Sequence, residues 1–192
     1  MADASSVSAA PQNPPRHERQ GMLNQLCLVH ALNMILGEKR FSKGDLDQAC
    51  ETLSPGSSRW SNPHKSWTGM GNYDANVALY LLENEECDTQ YFDSRKQANE
   101  LLESVDGGNQ EAFVGLLANV PGSLRLINAK WSRHWIAYKF VKEPPSKSLS
   151  SSGWWLLDSK MSSAKPVHDV LEQVGNHLKG GDTIIIVRKK QQ

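Results

Sequence analysis

The chain of 192 residues fits one domain, and its 39% of hydrophobic residues favours a mixed α/β protein with a core of ordinary size. Lysine plus arginine and aspartate plus glutamate number 21 each, so the formal charge is zero, which argues against broad electrostatic attraction to nucleic acid or anionic lipid. No run of about 18 apolar residues is present, so the sequence predicts no integral membrane segment.

Three widely spaced cysteines, Cys27, Cys50 and Cys87, do not form the even set that a disulfide framework needs. The first 16 residues also lack the apolar core of a secretory signal, so we expect a reducing compartment and a cytoplasmic protein. Residues 1–16 are small, polar and proline-bearing, which predicts a disordered leader. A single domain is expected over 17–188, followed by a tail over 189–192.

The N-terminal half carries helical patterns, in which apolar residues recur three or four positions apart. Ser42 and Asp74 are suitable N-caps, and Gly37 is a suitable helix end. A loop is predicted over 56–72, which is rich in serine and glycine, and a strand over 89–92. The predicted helices are, in chain order, 26–36, 43–53, one that follows Asp74, 97–105 and 110–119.

The C-terminal half has the composition of strands, with many β-branched and aromatic residues. The proline- and serine-rich segment 143–152 is predicted to be a hairpin loop between two of these strands. A helical stripe runs from Val167 to Leu178 before the last strand. Helices followed by an antiparallel sheet with one inserted helix predict an α+β fold. The predicted strands are 123–128, 134–142, 153–158 and 182–188.

Cys27 stands at the start of the first predicted helix, with polar Asn24 and Gln25 just before it. The first turn of a helix presents unpaired N–H groups and a partial positive charge, which stabilise a thiolate, the nucleophilic form of cysteine. A buried, inert cysteine is the alternative and, on position alone, the more common case. Cys50 and Cys87 are interpreted in that way.

A cysteine nucleophile needs a base from another element, held in place by a third group. His134 opens the strand before the hairpin loop, and Asp158 ends the strand after it, at a similar distance from the loop. Pairing of these strands places the two residues side by side, so that Asp158 accepts a hydrogen bond from one ring nitrogen and directs the other at Cys27. A packed histidine and a turn-forming aspartate are the alternatives for each residue alone, whereas the combination predicts a cysteine hydrolase.

Several short segments of the chain form a recognisable set. They are His17-Glu18-Arg19-Gln20, Leu26-Cys27 with Val29-His30-Ala31-Leu32-Asn33, Asn62-Pro63-His64-Lys65, 71–77, His134-Trp135 and Leu157-Asp158-Ser159-Lys160. Together they resemble the Josephin family, in the order in which that family has them, and the segments 62–65 and 71–77 resemble its short single-domain members. The resemblance runs from His17 to about Val187 and implies a papain-like α+β fold, with an N-terminal helical part packed on an antiparallel sheet. It also implies a deubiquitinating enzyme with ubiquitin and ubiquitinated proteins as partners and with no cofactor.

The resemblance implies roles for individual residues: Cys27 as nucleophile, His134 as general base and acid, and Asp158 as the orienting residue. The family often has asparagine in the third position, and aspartate agrees with its short members. A glutamine upstream of the cysteine contributes to the oxyanion hole. Four residues usually separate the two, but six separate Gln20 from Cys27. We expect Gln20 to serve, with the extra pair bulging, and not the nearer Gln25.

Other chemistries have weaker support. Cys27 and His30 make only half of a zinc site, so no metal is expected, and His30 is expected to pack against its own helix. Gly69-Met70-Gly71 lacks the third glycine of a dinucleotide loop. A weakly active or inactive ubiquitin-binding module stays open, favoured by the altered glutamine spacing, as does an acyl-transfer enzyme with a small substrate. A monomer is expected.

Overall fold

The computed structural model describes residues 14–21, 25–58, 61–66, 71–106, 112–122, 133–141 and 153–191. The predicted strand 123–128 and hairpin loop 143–152 lie outside the described residues, as does the predicted leader apart from residues 14–16. The described helices are α1 (Cys27–Leu36), α2 (Lys43–Leu53), α3 (Ala75–Asn84), α4 (Ala98–Asp106) and α5 (Val170–Lys179). The described strands are β1 (Cys87–Phe92), β2 (Phe113–Pro121), β3 (Arg133–Phe140), β4 (Trp154–Leu157), β5 (Lys165–Val167) and β6 (Thr183–Lys189).

The six described strands form one sheet in the order β1-β6-β2-β3-β4-β5, and every neighbouring pair is antiparallel. Helices α1, α2 and α3 cover one face of this sheet, and α4 and α5 cover the other. The predicted α+β class is therefore confirmed. Within the described residues, no helix has the length and apolar character needed to cross a membrane.

Helices α1, α2 and α4 lie within one residue of their predicted bounds, and α3 begins directly after Asp74 as predicted. Helix α1 stops at Gly37, whose left-handed conformation (φ 86°) lets its N–H donate to the carbonyl of Asn33. Helix α2 begins with a capping box, in which the Ser42 N–H donates to the Asp45 carboxylate over 2.7 Å. Helix α3 is capped by Asp74, which accepts from the first-turn N–H groups.

The predicted helix over 110–119 is wrong, because the described part of this segment is strand β2. Strand β2 pairs with β3 along one edge and with β6 along the other. Its two faces are also covered, since Leu117 packs in the core on the α1 side and Leu116 and Ala118 pack in the core on the α5 side. Such a strand is apolar on both faces and loses the alternation that identifies strands in a sequence. The predicted helical stripe also begins too early, since Val167 belongs to the short edge strand β5.

Candidate active site

Cys27 is the first residue of α1 and is buried, with 4% of its surface exposed. The N-cap position belongs to Leu26, which offers no side-chain hydrogen bond, and the first turn contains no acidic residue. The positive end of the helix dipole is therefore not compensated by a side chain of the helix itself. An anionic sulfur at this position is stabilised by that partial charge.

Helix α1 lies along β3 and runs in the same direction. The first residue of α1, Cys27, contacts His134 near the start of β3. Eight residues later, the carbonyl of Ile35 accepts a hydrogen bond from the Lys139 ammonium near the end of β3. This alignment sets the nucleophile candidate of the helix against the base candidate of the sheet.

His134 and Asp158 lie on neighbouring strands, as expected from the position of the hairpin loop. Ala137 pairs with Leu157 in the sheet, so the same register sets Asp158 opposite Ile136 and makes His134 its diagonal neighbour. His134 Nε2 donates to Asp158 Oδ1 over 2.7 Å. The same oxygen accepts the Lys160 N–H over 2.9 Å, which fixes the carboxylate.

Both members of this pair have shifted pKa values. Burial lowers the pKa of His134, but its hydrogen bonds to Asp158 and Cys27 raise it by more, so the net shift is upward. Burial raises the pKa of Asp158, whereas the hydrogen bonds from His134 and the Lys160 N–H lower it by more. The site therefore favours a protonated ring beside an ionised carboxylate. Because Nε2 is engaged by Asp158, the ring nitrogen left for Cys27 is Nδ1.

The residue next to His134 is held in place by a separate contact. Trp135 is almost fully buried, and its indole N–H donates to the carbonyl of Tyr73 over 3.0 Å. This bond ties the start of β3 to the segment that leads into α3. The backbone that carries the imidazole is therefore restrained on the α1 side of the sheet.

Gln20 lies beside the residue that follows Asp158. Its N–H donates to the Ser159 carbonyl over 2.8 Å, and its side-chain Oε1 accepts from the Ser159 hydroxyl over 3.3 Å. Ser159 is fully buried, so this position is well defined. With Oε1 engaged, the NH₂ group has no hydrogen-bond acceptor among the described residues, and an oxyanion donor needs such a group.

Gln25 has a different place in the structure. It forms an isolated parallel bridge with Gly71, and its carbonyl accepts the Asn72 N–H over 3.0 Å. A Cβ atom at position 71 would lie 2.0 Å from the Gln25 carbonyl oxygen, so only glycine fits there. Gln25 thus fixes the backbone that enters α1.

Three residues of this region were missed in the sequence, namely Glu18, His30 and Asn33. The sequence predicts that His30 packs against its own helix. In the structure, its Nδ1 donates to Glu18 Oε2, outside that helix, over 2.9 Å. Asn33 donates to the same oxygen over 3.3 Å. These contacts span 12 and 15 residues, so no local periodicity indicates them. The one available signal is the position of Glu18 inside the His17–Gln20 segment.

The other two cysteines differ from Cys27 in their surroundings. Burial raises the pKa of Cys50 to about 11, and it raises the pKa of Cys87 as well. Both thiols are therefore held in the unreactive protonated form. Among the described residues, no group of three or more histidine, cysteine, aspartate or glutamate side chains is arranged to hold a metal ion.

Comparison with known proteins gives one consistent family. The Josephin family model matches residues 22–188. A Josephin-like protein of Drosophila melanogaster is 36% identical over 154 residues, which cover 78% of this chain and 61% of the relative. Josephin-2 of Mus musculus is 34% identical over 171 residues, covering 85% of this chain and 80% of the relative. A Josephin-like protein of Arabidopsis thaliana is 30% identical, and the match covers 76% of this chain but 38% of that protein.

Proposed function

The chain belongs to the Josephin family, and on that premise we propose that it is a cysteine-dependent deubiquitinating hydrolase. The family has a papain-like fold and consists in general of thiol proteases of the deubiquitinase type. The reaction proposed for this chain is cleavage of peptide and isopeptide bonds after the C-terminal glycine of ubiquitin. The observation that carries the proposal is the hydrogen-bonded pair of His134 and Asp158 beside Cys27 at the head of α1.

The first half of the proposed reaction forms a thioester. The Cys27 thiolate attacks the carbonyl carbon of the terminal glycine, and the oxyanion accepts hydrogen bonds from the Gln20 amide and the Cys27 N–H. The protonated His134 ring gives its proton to the departing lysine amine as the carbon–nitrogen bond breaks. Asp158 keeps the ring in the orientation that serves both partners.

The second half releases ubiquitin. His134, now neutral, takes a proton from a water molecule, whose oxygen attacks the thioester carbonyl carbon. The same oxyanion donors stabilise the second tetrahedral intermediate. The carbon–sulfur bond then breaks, which yields the carboxylic acid of ubiquitin and returns Cys27 and His134 to their starting ion pair, and the acid loses its proton to solvent. These steps use only side chains and one backbone N–H of the protein, together with water.

The proposal extends to the setting of the enzyme. Its partners are ubiquitin and ubiquitinated proteins, and it acts as a cytoplasmic monomer. Residues 17–188 form the catalytic domain, with a leader over 1–16 and a tail over 189–192. The zero formal charge supports recognition by surface shape and specific contacts, since broad electrostatic attraction is absent.

A ubiquitin whose C-terminus carries an electrophile tests this proposal directly. We expect the wild-type chain to form a covalent adduct and to hydrolyse a fluorogenic ubiquitin amide, whereas Cys27→Ala does neither. Cys50→Ala is the matched control, because it removes another buried thiol that lies outside the site, and it is expected to label normally. Labelling or turnover at wild-type rates in Cys27→Ala would contradict the assignment.

The same experiment separates the main alternative. A ubiquitin-binding module without chemistry retains ubiquitin in a binding assay but gives neither adduct nor product. An acyl-transfer enzyme for small substrates gives no adduct with the ubiquitin electrophile, although a small thiol reagent still modifies Cys27. Each alternative thus has an outcome of its own.

A further inference from the structure

We propose that Glu18 is a positioning residue for the oxyanion hole. Residues 16–20, called the strap below, are anchored on both α1 and the segment after β4. These two anchors fix Gln20 relative to Cys27. This inference rests on the proposed function, in which Gln20 donates to the oxyanion. In this proposal, the contacts of the strap with α1 and with the segment after β4 hold Gln20 in place. The covalent connection between Gln20 and Cys27 then contributes little to that placement.

The first anchor joins the strap to the helix that carries the nucleophile. Glu18 Oε2 accepts from His30 Nδ1 over 2.9 Å and from Asn33 Nδ2 over 3.3 Å. His30 and Asn33 lie one turn apart on α1, and His30 is only three residues beyond Cys27. Asn33 is itself buried and fixed, since it donates to the Phe41 carbonyl and accepts the Phe41 N–H. The Glu18 carboxylate therefore binds a rigid part of the helix.

The second anchor joins the strap to the chain that carries the orienting carboxylate. His17 Nε2 donates to the Asp158 carbonyl over 3.0 Å. Gln20 exchanges two hydrogen bonds with Ser159, one through its backbone N–H and one through its side-chain Oε1. The strap thus bridges the two elements between which the substrate carbonyl must enter.

The charge of Glu18 suits this role. Its side chain is only 13% exposed. Burial raises the pKa of Glu18, but hydrogen bonds from His30, Asn33 and Arg16 lower it by more, so the carboxyl stays ionised at neutral pH. An ionised acceptor makes stronger hydrogen bonds than a neutral one, so this anchor holds better than an amide would.

The strap also accounts for the unusual distance in sequence between Gln20 and Cys27. Six residues separate them, where the family pattern has four. Both anchors lie outside those six residues, since they involve Glu18, His17 and Gln20 itself. A longer connection therefore leaves Gln20 in place.

A double-mutant cycle tests the coupling between Glu18 and Gln20, with kcat for a fluorogenic ubiquitin amide as the measured quantity. We expect Gln20→Ala to lower kcat about 100-fold, as loss of an oxyanion donor does, and Glu18→Ala to lower it about tenfold or more. In the Glu18→Ala background, Gln20→Ala should then cost less than about tenfold, because the amide is already misplaced. If the kcat loss of the double variant equals the product of the losses of the two single variants, the inference is overturned. Gln25→Ala should leave kcat unchanged.

Two readouts distinguish positioning from general loosening of the structure. Alkylation of Cys27 by iodoacetamide forms no oxyanion, so Glu18→Ala should alkylate within about threefold of wild type. A loss of alkylation as large as the loss of kcat would place the effect on the nucleophile instead. His64→Ala is the matched control for His30→Ala, because His64 Nδ1 donates to Asp74 over the same 2.9 Å. Only His30→Ala should lower kcat, and equal losses would contradict the proposal.

Further variants decide the matter if Glu18→Ala does not fold. Ser159→Ala removes one hydroxyl from the second anchor and should likewise reduce the cost of Gln20→Ala. Insertion of two glycines after Gly21 should keep kcat within about threefold, whereas a large loss would mean that the connection to Cys27 sets the position of Gln20. A wild-type chain that neither labels nor turns over removes the proposed function. An active wild type with multiplying effects removes the positioning role alone.

Discussion

Two histidine–aspartate pairs in this protein look alike but have different third partners. His134 Nε2 donates to Asp158 over 2.7 Å, and His177 Nδ1 donates to Asp182 over 3.0 Å. All four residues are largely buried. The imidazole of His134 also interacts with Cys27, whereas the other ring nitrogen of His177 accepts a hydrogen bond from the Tyr138 hydroxyl over 2.8 Å.

The difference shows that the reactivity of a histidine–carboxylate pair depends on the imidazole's other partner, which is Cys27 in one pair and Tyr138 in the other. Cys27 sits at the positive end of a helix, where a thiolate is stabilised. Burial raises the pKa of Tyr138, and the charges of Asp158 and Asp182 raise it further, so this hydroxyl keeps its proton. The second pair therefore joins α5 to the sheet, whereas the first is suited to catalysis.

Alanine at each histidine is the strongest test of this contrast. We expect His134→Ala to lower kcat/KM by at least about 10³-fold, since members of a catalytic unit fail together. His177→Ala should keep kcat/KM within about threefold but destabilise the fold by about 1–3 kcal/mol, because buried groups on Tyr138 and Asp182 lose their partner. Turnover of the ubiquitin amide and denaturant unfolding measure the two effects. Comparable loss of turnover in both variants would break the comparison.

The paired aspartates test the same contrast through pH, with a smaller effect on rate. The upward-shifted pKa of His134 keeps its ring protonated to higher pH, and the Asp158 charge contributes to that shift. Asp158→Asn keeps a hydrogen-bond acceptor but removes the charge, so His134 loses its proton at lower pH. The alkaline limb of the kcat/KM profile should move down by about one pH unit, with less than about a tenfold loss at the optimum.

Asp182→Asn is the control for this pH profile, since it makes the same change in the pair without the thiol. Its alkaline limb should coincide with that of the wild type. Asp158→Ala, which lacks the acceptor as well, should retain a smaller but measurable turnover. An unshifted limb in Asp158→Asn would mean that another group than His134 titrates there.

Much of this arrangement follows from local sequence, because its elements have local signals. Ser42 and Asp74 cap helices that begin where their patterns predict. The adjacency of His134 and Asp158 follows from their similar distances from the loop that joins the two strands, and the structure has it. Their roles in catalysis stay a prediction. Strand β2 was mistaken for a helix because burial on both faces removes its alternation.

The supports of the site are harder to find in the sequence. Glu18 meets α1 across 12 residues, and Gln20 meets Ser159 across 139. Each of these side chains is polar and lies outside any periodic stripe, so nothing in the local pattern indicates its partner. Only packing of the strap between helix and sheet brings them together. Such contacts arise from the tertiary fold, and local sequence patterns do not indicate them.

Tyr138 is influenced by the carboxylates of both pairs, and its hydroxyl gives the smallest predicted effect. The charges of both Asp158 and Asp182 raise its pKa, although its hydrogen bond goes to His177. Tyr138→Phe removes that bond, and His177, which is about one-fifth exposed, can then reach water. We therefore expect a loss of about 0.5–1.5 kcal/mol, seen as a fall of about 2–5 °C in Tm, with kcat/KM within about twofold of wild type.

The informative question for Tyr138→Phe is which of its two readouts falls, Tm or kcat/KM. If Tm stays constant while kcat/KM falls more than about tenfold, the hydroxyl belongs to the catalytic pair, and the separation between the pairs is wrong. If Tm falls and the alkaline limb of the pH profile stays in place, the hydroxyl acts only on the α5 side. We expect the second result, because the Asp158 carboxylate is already engaged by His134 and by the Lys160 N–H and has no need of a third donor.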